Sequence, residues 1–226
     1  NTRAIVSLLA ALLCSLASSE EVNCDVPRNE RFSGAGVLPL EWIDGELVAA
    51  FEVTHGTNKY GTLEDFGGSS MDSDSDHIET ALRESHEETC GVLSLTREAL
   101  EGAPKVSMPS LEPDQAYATF LPIINENGEA LVLTSRRLRD ATTRERARDE
   151  PRSTWLEASD VRLVSLRALL RVAQSGGGSL DSTARVLDVK GREVRLSPRG
   201  LALVNAAHCQ GVLRAVLESH ASNSLL

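Results

Sequence analysis

Glu84, Glu87 and Glu88 stand three and four residues apart, a short way after the Gly67-Gly68 pair. At about 100° per residue they share one stripe of a helix, while Ile78, Ala81, Leu82 and Ser85 form an adjoining stripe of small and apolar residues. Such a helix can pack on one side and present carboxylates beside it. Like charges this close repel by about a few tenths of a kcal/mol per pair, so the cluster calls for a compensating cation. A hard divalent ion with oxygen ligands, Mg2+ or alternatively Mn2+, held by carboxylates together with substrate phosphates, is the chemistry this pattern suits. A solvated acidic face is the bland alternative. Asp76-His77-Ile78-Glu79 has capping-box spacing at the helix start, and Gly91 suits a left-handed stop.

Arg83-Glu84-Ser85-His86-Glu87-Glu88-Thr89-Cys90-Gly91-Val92 resembles the signature of the Nudix hydrolases: glycine, five residues, glutamate, seven residues, then Arg-Glu-apolar-x-Glu-Glu-x-Gly-apolar. The Arg-Glu-x-x-Glu-Glu heart is intact. Five residues on from Gly68 stands Asp74 where the family has Glu, and eight residues rather than seven separate it from Arg83. Ser85 takes an apolar position, and Cys90 is an extra residue before the glycine. An insertion in a loop is cheap because closure cost grows slowly with length, whereas a glutamate lost from the helix would be a lost ligand. The resemblance implies that Glu84, Glu87 and Glu88 hold the metal and that Arg83 steadies the cluster. It implies that a glutamate, on this helix or a later loop, orients or deprotonates water, so the catalytic set is Arg83, Glu84 and Glu87. It also implies an Arg83 pairing for Asp74, although Ser75 has the family's spacing. Glu150, with Asp149 beside it and Trp155 just beyond, lies where the family brings another carboxylate to the metal. Gly67 and Gly68 would allow a phosphate close to the backbone.

The chain's 226 residues are 41% hydrophobic and 25% charged, enough for one good core and unlike a disordered protein. With 23 basic and 33 acidic residues its net charge of −10 argues against nucleic acid or anionic membrane as a partner. A small phosphorylated substrate would need a metal or a local basic patch. One is offered between Leu131 and Arg148, where Arg136, Arg137, Arg139, Arg144, Arg146 and Arg148 cluster. Arg136 and Arg137 are candidates for a substrate's phosphates, against the alternative of a solvated, ion-paired helix. Ala4 to Leu16 is a largely apolar run after Arg3, followed by small residues up to Ser19, and reads as a secretory signal spanning residues 1–19. An uncleaved anchor or a buried helix are the alternatives. The run is too short to span a bilayer comfortably. The opening at Asn1 reads as a fragment or a processed form. After Cys14 leaves with the signal, Cys24, Cys90 and Cys209 remain, so at most one pair can close within a monomer.

The positioning elements follow. Ala35 to Leu40 and Leu47 to Val53 read as strands about an Asp44-Gly45 hairpin turn, with Trp42 near it. Leu63 to Phe66 and Tyr117 to Ile123 read as further strands, and Leu163 to Ala173 as a helix. Beyond the flexible Ser175 to Ser179, a hairpin (Ala184 to Val189, Arg192 to Leu196) precedes Ser197-Pro198, an N-cap with proline in first helical position, and a closing helix to about Glu218. The expected fold is α/β, a Nudix-type α/β/α sandwich with a mixed sheet over residues 35–170, followed by a small C-terminal strand-strand-helix appendage over 180–226. The expected activity is Mg2+-dependent hydrolysis of a pyrophosphate bond in a nucleoside diphosphate linked to another moiety, or a related organic pyrophosphate. The alternatives are a catalytically inactive Nudix-fold binding protein and a secreted interaction domain with an acidic helix.

Overall fold

The expected hairpin turn forms with Asp44 and Gly45 both at positive φ, 50° and 80°, the geometry a two-residue turn needs to match strand twist. Its arms are β2 (Leu40–Ile43) and β3 (Glu46–Thr54). The computed structural model describes residues 32–54, 61–110, 115–124, 135–148, 158–175 and 184–223. The segment read as a signal (1–19), Cys14, Cys24, Asp149, Glu150 and Trp155 lie outside those residues, as does the side chain of Arg136.

The strand expected over Ala35 to Leu40 is divided. β1 (Phe32–Val37) ends before Leu38-Pro39 and belongs to a different sheet from β2. Pro39 has no N–H to give a ladder, so the chain changes sheets there. The strand expected over Leu63 to Phe66 divides likewise: β4 (Thr62–Glu64) lies in one sheet, β5 (Phe66–Ser69) in the other, and Asp65 is the crossover residue. The four-stranded sheet runs β5-β1-β7-β6, where β6 is Lys105–Pro109 and β7 is Ala116–Phe120. It is mixed, because β1 pairs parallel with β7 and antiparallel with β5. The six-stranded sheet runs β2-β3-β4-β10-β9, with β8 (Ala158–Ser165) also paired to β3; β9 is Arg185–Leu187 and β10 is Glu193–Leu196. Leu163 therefore lies within a strand that runs to Ser165, and the helix expected from Leu163 begins at Leu166.

The helices are α1 (His77–Glu88), α2 (Arg97–Glu101), α3 (Ser135–Arg146), α4 (Leu166–Gln174), α5 (Pro198–Cys209) and α6 (Val212–Asn223). Two apolar layers make the sandwich. Ala35, Val37, Ala50, Phe66, Ala118 and Phe120 face Ala81 of α1 and Leu138 of α3. Leu47, Ala49, Phe51, Leu63 and Val106 face Leu169 of α4, Leu201 and Val204 of α5, and Leu213 of α6. On β3, Ala50 lies in one layer and its neighbours Ala49 and Phe51 in the other, the period-two alternation of a strand covered on both faces. The fold is α/β with mixed sheets between helices, as expected.

The closing segment does not stand apart. β10 pairs parallel with β4 through Arg195–Thr62 and Leu196–Leu63. Ser197 N donates to Leu63 O at 3.1 Å, and Ser197 Oγ caps α5 by accepting from Gly200 N at 3.0 Å. A Cβ on Gly200 would collide with the Leu63 carbonyl, so its absence lets the first turn of α5 settle directly on β4. The expected single closing helix is broken at Gln210-Gly211, where α5 and α6 meet at 66°. The Gln210 side chain takes both backbone groups of Ser107 on β6: Ser107 N donates to Oε1 at 3.2 Å and Nε2 donates to Ser107 O at 2.6 Å. Among the described residues no single helix is long and apolar enough to cross a membrane.

Candidate active site

Asp76 caps α1, its side chain accepting from the backbone N–H groups of Ile78 and Glu79 at 2.9 Å each. Six residues into the helix, Arg83 gathers the local acids. Nε donates to Asp74 Oδ1 at 3.1 Å and Nη2 to Asp74 Oδ2 at 2.9 Å, a two-pronged grip. Nη1 donates to Glu84 Oε1 at 2.7 Å and lies 3.7 Å from Glu87 Oε2, and Nη2 also reaches Ser69 O at 2.9 Å. Asp74 further accepts from Met71 N and from Thr80 Oγ1, at 3.0 Å each. The Arg83 hydrogen bonds hold its carboxyl down to about 2, and Asp74 in turn raises the guanidinium. The pairing implied for Asp74 thus forms despite the extra loop residue, while Ser75, at the family's spacing, gives its N–H to Glu79.

Burial on α1 differs from the expected division into two stripes. Ser85 is buried, in keeping with the apolar position it takes, but Glu88 is buried too, at 5% exposure. The cause is rotation: Glu88 follows Ala81 by seven residues and lies on the packing face. Burial, then the neighbouring Glu52 carboxylate, pushes the Glu88 carboxyl well above its ordinary range; Arg199 opposes this, and Glu84 and Asp65 add to it. Glu84 sits against the glycine turn, where a Cβ on Gly68 would stand 2.7 Å from its carboxyl carbon. Gly67 is closed in by Tyr117 and by the backbone of Ala35 and Gly36. The extra residue Cys90 is absorbed as a second left-handed residue, φ 51°, ahead of Gly91 at 71°.

A second arginine, which sequence reasoning did not single out, lies at the Asp65 crossover. Arg199, in the first turn of α5, places Nη2 3.1 Å from Glu64 Oε2 and Nε 3.1 Å from Asp65 Oδ1. It donates from Nη2 to Asp65 O at 2.9 Å and from Nη1 to Gly67 O at 3.1 Å, and lies 5.5 Å from the Tyr117 ring centre. Asp65 Oδ2 accepts from Thr119 Oγ1 at 2.9 Å. Glu64 faces Glu52 directly across the β3–β4 pair. Burial works against the Arg199 charge, but Tyr117, Asp65, Glu64 and Glu52 outweigh it and hold the guanidinium protonated. The one sequence signal was a cation in the first turn after an N-cap, where the helix dipole repels it unless acids compensate.

Gly67, Gly68, Arg83, Glu84, Glu87 and Glu88 are therefore brought into one neighbourhood. Arg137 lies exposed on α3, which packs on β8, and Arg139 of the same stretch pairs with Asp160 at 3.2 Å. Among the described residues, no three His, Cys, Asp or Glu side chains converge closely enough to hold a metal ion as they stand; Glu84 and Glu87 lie 2.7 and 3.7 Å from Arg83 Nη1. The donor chemistry nonetheless fits a hard divalent cation. The donors are oxygens alone, and buried Glu88 Oε2 has no hydrogen-bond partner among the described residues.

No protein-family model and no curated protein sequence matches the chain. Solved structures similar to it include an Ap4A hydrolase binary complex from C. elegans (12% identity, 64% of this chain and 88% of that one, TM-score 0.38). Another is the Nudix domain of NrtR from Shewanella oneidensis complexed with ADP-ribose (14%, 80% and 88%, 0.42). A third is a MutT/Nudix family protein from Enterococcus faecalis (15%, 90% and 69%, 0.44). Likeness at this level carries no functional argument.

Proposed function

We propose that this chain is a Nudix-type hydrolase that cleaves a pyrophosphate bond in a nucleoside diphosphate linked to another moiety, or in a related organic pyrophosphate. The observation that carries the reading is the pairing of Asp74 with Arg83 at the head of an acidic helix, which reproduces the internal contact implied by the box in spite of an altered loop. Glu84, Glu87 and Glu88 would hold Mg2+, or Mn2+ in its place, with Glu150 a further candidate. A bound divalent ion would neutralise charge developing on the phosphates and favour a nucleophilic water. The chain's own residues supply the rest. Arg83 orients Glu84 by a hydrogen bond and draws Glu87 toward it, while Gly67 and Gly68 are filled by β1, Tyr117 and the Glu84 carboxyl, so the glycine pair expected to admit a phosphate serves to seat Glu84 against the turn. A glutamate not engaged by Arg83 can accept the water's proton. Arg136 and Arg137 would meet the distal part of the substrate.

Screening nucleotide sugars, dinucleoside polyphosphates, ADP-ribose, coenzyme A and diphosphoinositol phosphates for metal-dependent release of phosphate-containing products tests this reading. Glu87→Gln should lower turnover by at least about a hundredfold, near 2.7 kcal/mol of barrier. Activity untouched by Glu87→Gln would sink it. A second reading, a binding protein without catalysis, is favoured by the hold of Arg83 on Glu84 and Glu87; tight ligand binding without turnover across the panel would select it. Export is proposed as well, supported by the apolar run at Ala4 to Leu16 and by Cys209 being disulfide-bonded, a state suited to an oxidising compartment. N-terminal sequencing that finds Leu8 to Leu13 retained in native soluble protein would end that proposal.

A further inference from the structure

We propose that Arg199 is the resident cation of the inner carboxylates: it reserves Glu64 and Asp65, and so confines a divalent ion to the α1 side of the cluster. The proposal rests on the hydrolase reading only for where that ion binds. Glu52, Glu64, Asp65, Glu84 and Glu88 act on one another or on Arg199 electrostatically, Glu52 stands directly opposite Glu64 across the β3–β4 pair, and Glu52, Glu64, Asp65 and Glu88 are all at most 5% exposed. Carboxylates buried side by side need positive charge among them, and without it the site would draw cations wherever oxygens face one another.

The inner half has its cation built in. One guanidinium donates hydrogen bonds to two backbone carbonyls at 2.9 and 3.1 Å and lies in ion-pair contact with two carboxylates at 3.1 Å each, a spread of charge over several groups that a compact ammonium cannot copy. Its place is fixed by the backbone. The cap at Ser197, the Ser197–Leu63 hydrogen bond and the close approach at Gly200 lock the first turn of α5 onto β4. The same guanidinium holds the Gly67 carbonyl, and Gly68 next to it abuts Glu84. Arg199 is thus a positioning residue: it occupies the charge-demanding inner space and holds the turn that the outer carboxylates lean on. With it removed, the Glu64 and Asp65 carboxylates lose their cation while Glu52 still faces Glu64 across the β3–β4 pair, leaving buried negative charge that a divalent ion can neutralise once these side chains re-orient.

The test is a Mn2+ titration of the full chain, followed by the electron paramagnetic resonance signal of free Mn2+, on the unaltered protein, Arg199→Met, Glu64→Gln and the double variant. Arg199→Met should take up about one more Mn2+ per chain than the unaltered protein, and the double variant should lose that extra ion. Glu64→Gln alone should keep the unaltered count, because Glu64 is already taken. Equal counts in Arg199→Met and the unaltered protein, or a Mn2+ lost in Glu64→Gln, would overturn the proposal. The Glu64→Gln arm decides the matter even if Arg199→Met does not fold. Should the unaltered protein bind no Mn2+ at all, the hydrolase reading fails, while a Mn2+ gained by Arg199→Met still supports the inner cation.

Discussion

Two arginines serve one acidic cluster, and they are built in opposite ways. Arg83 is linked to Asp74 nine residues earlier, and its acids Asp74, Glu84 and Glu87 are 7–22% exposed. Arg199 reaches back 134 residues to Asp65, and its acids Glu64 and Asp65 are 4% and 0% exposed. Water can stand in for Arg83 when it is lost, but it cannot reach the acids of Arg199. The difference teaches that one charge pattern can be divided into an adjustable outer part and a fixed inner part by burial alone.

The comparison breaks most readily at its buried end. Arg199→Met should lower unfolding free energy by about 3–5 kcal/mol in urea titration, since it strands buried carboxylates; a loss below about 1 kcal/mol would make the two arginines equivalent. Next come the glycines that join the two halves. Gly67→Ala must displace backbone at Gly36 and Ala35 and should destabilise by about 1–3 kcal/mol. The nearest atoms an added Cβ at Gly68 would meet are those of the movable Glu84 carboxyl, so the stability of Gly68→Ala should stay near that of the unaltered protein while turnover falls about tenfold. Equal unfolding midpoints for the two alanine variants would contradict that contrast.

At the outer end, Asp74→Asn should destabilise by about 1 kcal/mol after solvent screening. The Asp74 carboxyl is lowered from 3.8 to about 2, so its contribution is full above pH 3.8 and fades as pH falls through 2. Stability curves of the unaltered and Asp74→Asn proteins should therefore converge in acid and separate above pH 4. The smallest effect has the opposite sign. The Glu88 carboxyl is raised above 4.5, so its charge disfavours the fold as pH rises past that value. In EDTA at neutral pH, Glu88→Gln should melt higher than the unaltered protein, and the gain should vanish below pH 4.5. A lower melting temperature would move Glu88 into the adjustable part.

The outer half was legible in the sequence because helices are local. Spacing put Glu84, Glu87 and Glu88 on one turn, Asp76 and Gly91 marked its ends, and Asp44-Gly45 announced its hairpin. Glu88 shows the limit of that reading, since a stripe of acids does not say which of them turns inward. The crossover at Pro39 was hidden within the run Val37-Leu38-Pro39-Leu40, and the one at Asp65 because the acids Glu64-Asp65 between Leu63 and Phe66 do not say that the flanking residues join different sheets. Arg199 was hidden because only the β4–β10 pairing, between residues more than a hundred apart, delivers it to Asp65. The segment expected as a strand-strand-helix appendage thus contributes Arg199 to the candidate site's frame.

β6 ends the four-stranded sheet, and an outermost strand is a template on which another chain can add itself. Gln210 behaves there as a strand of a single residue. Its amide offers one acceptor and one donor, fills both outward groups of Ser107, and leaves no continuous row for a newcomer to copy. The kink between α5 and α6 thus acts as a plug against polymerisation, placed where the ladder would otherwise continue into the next molecule.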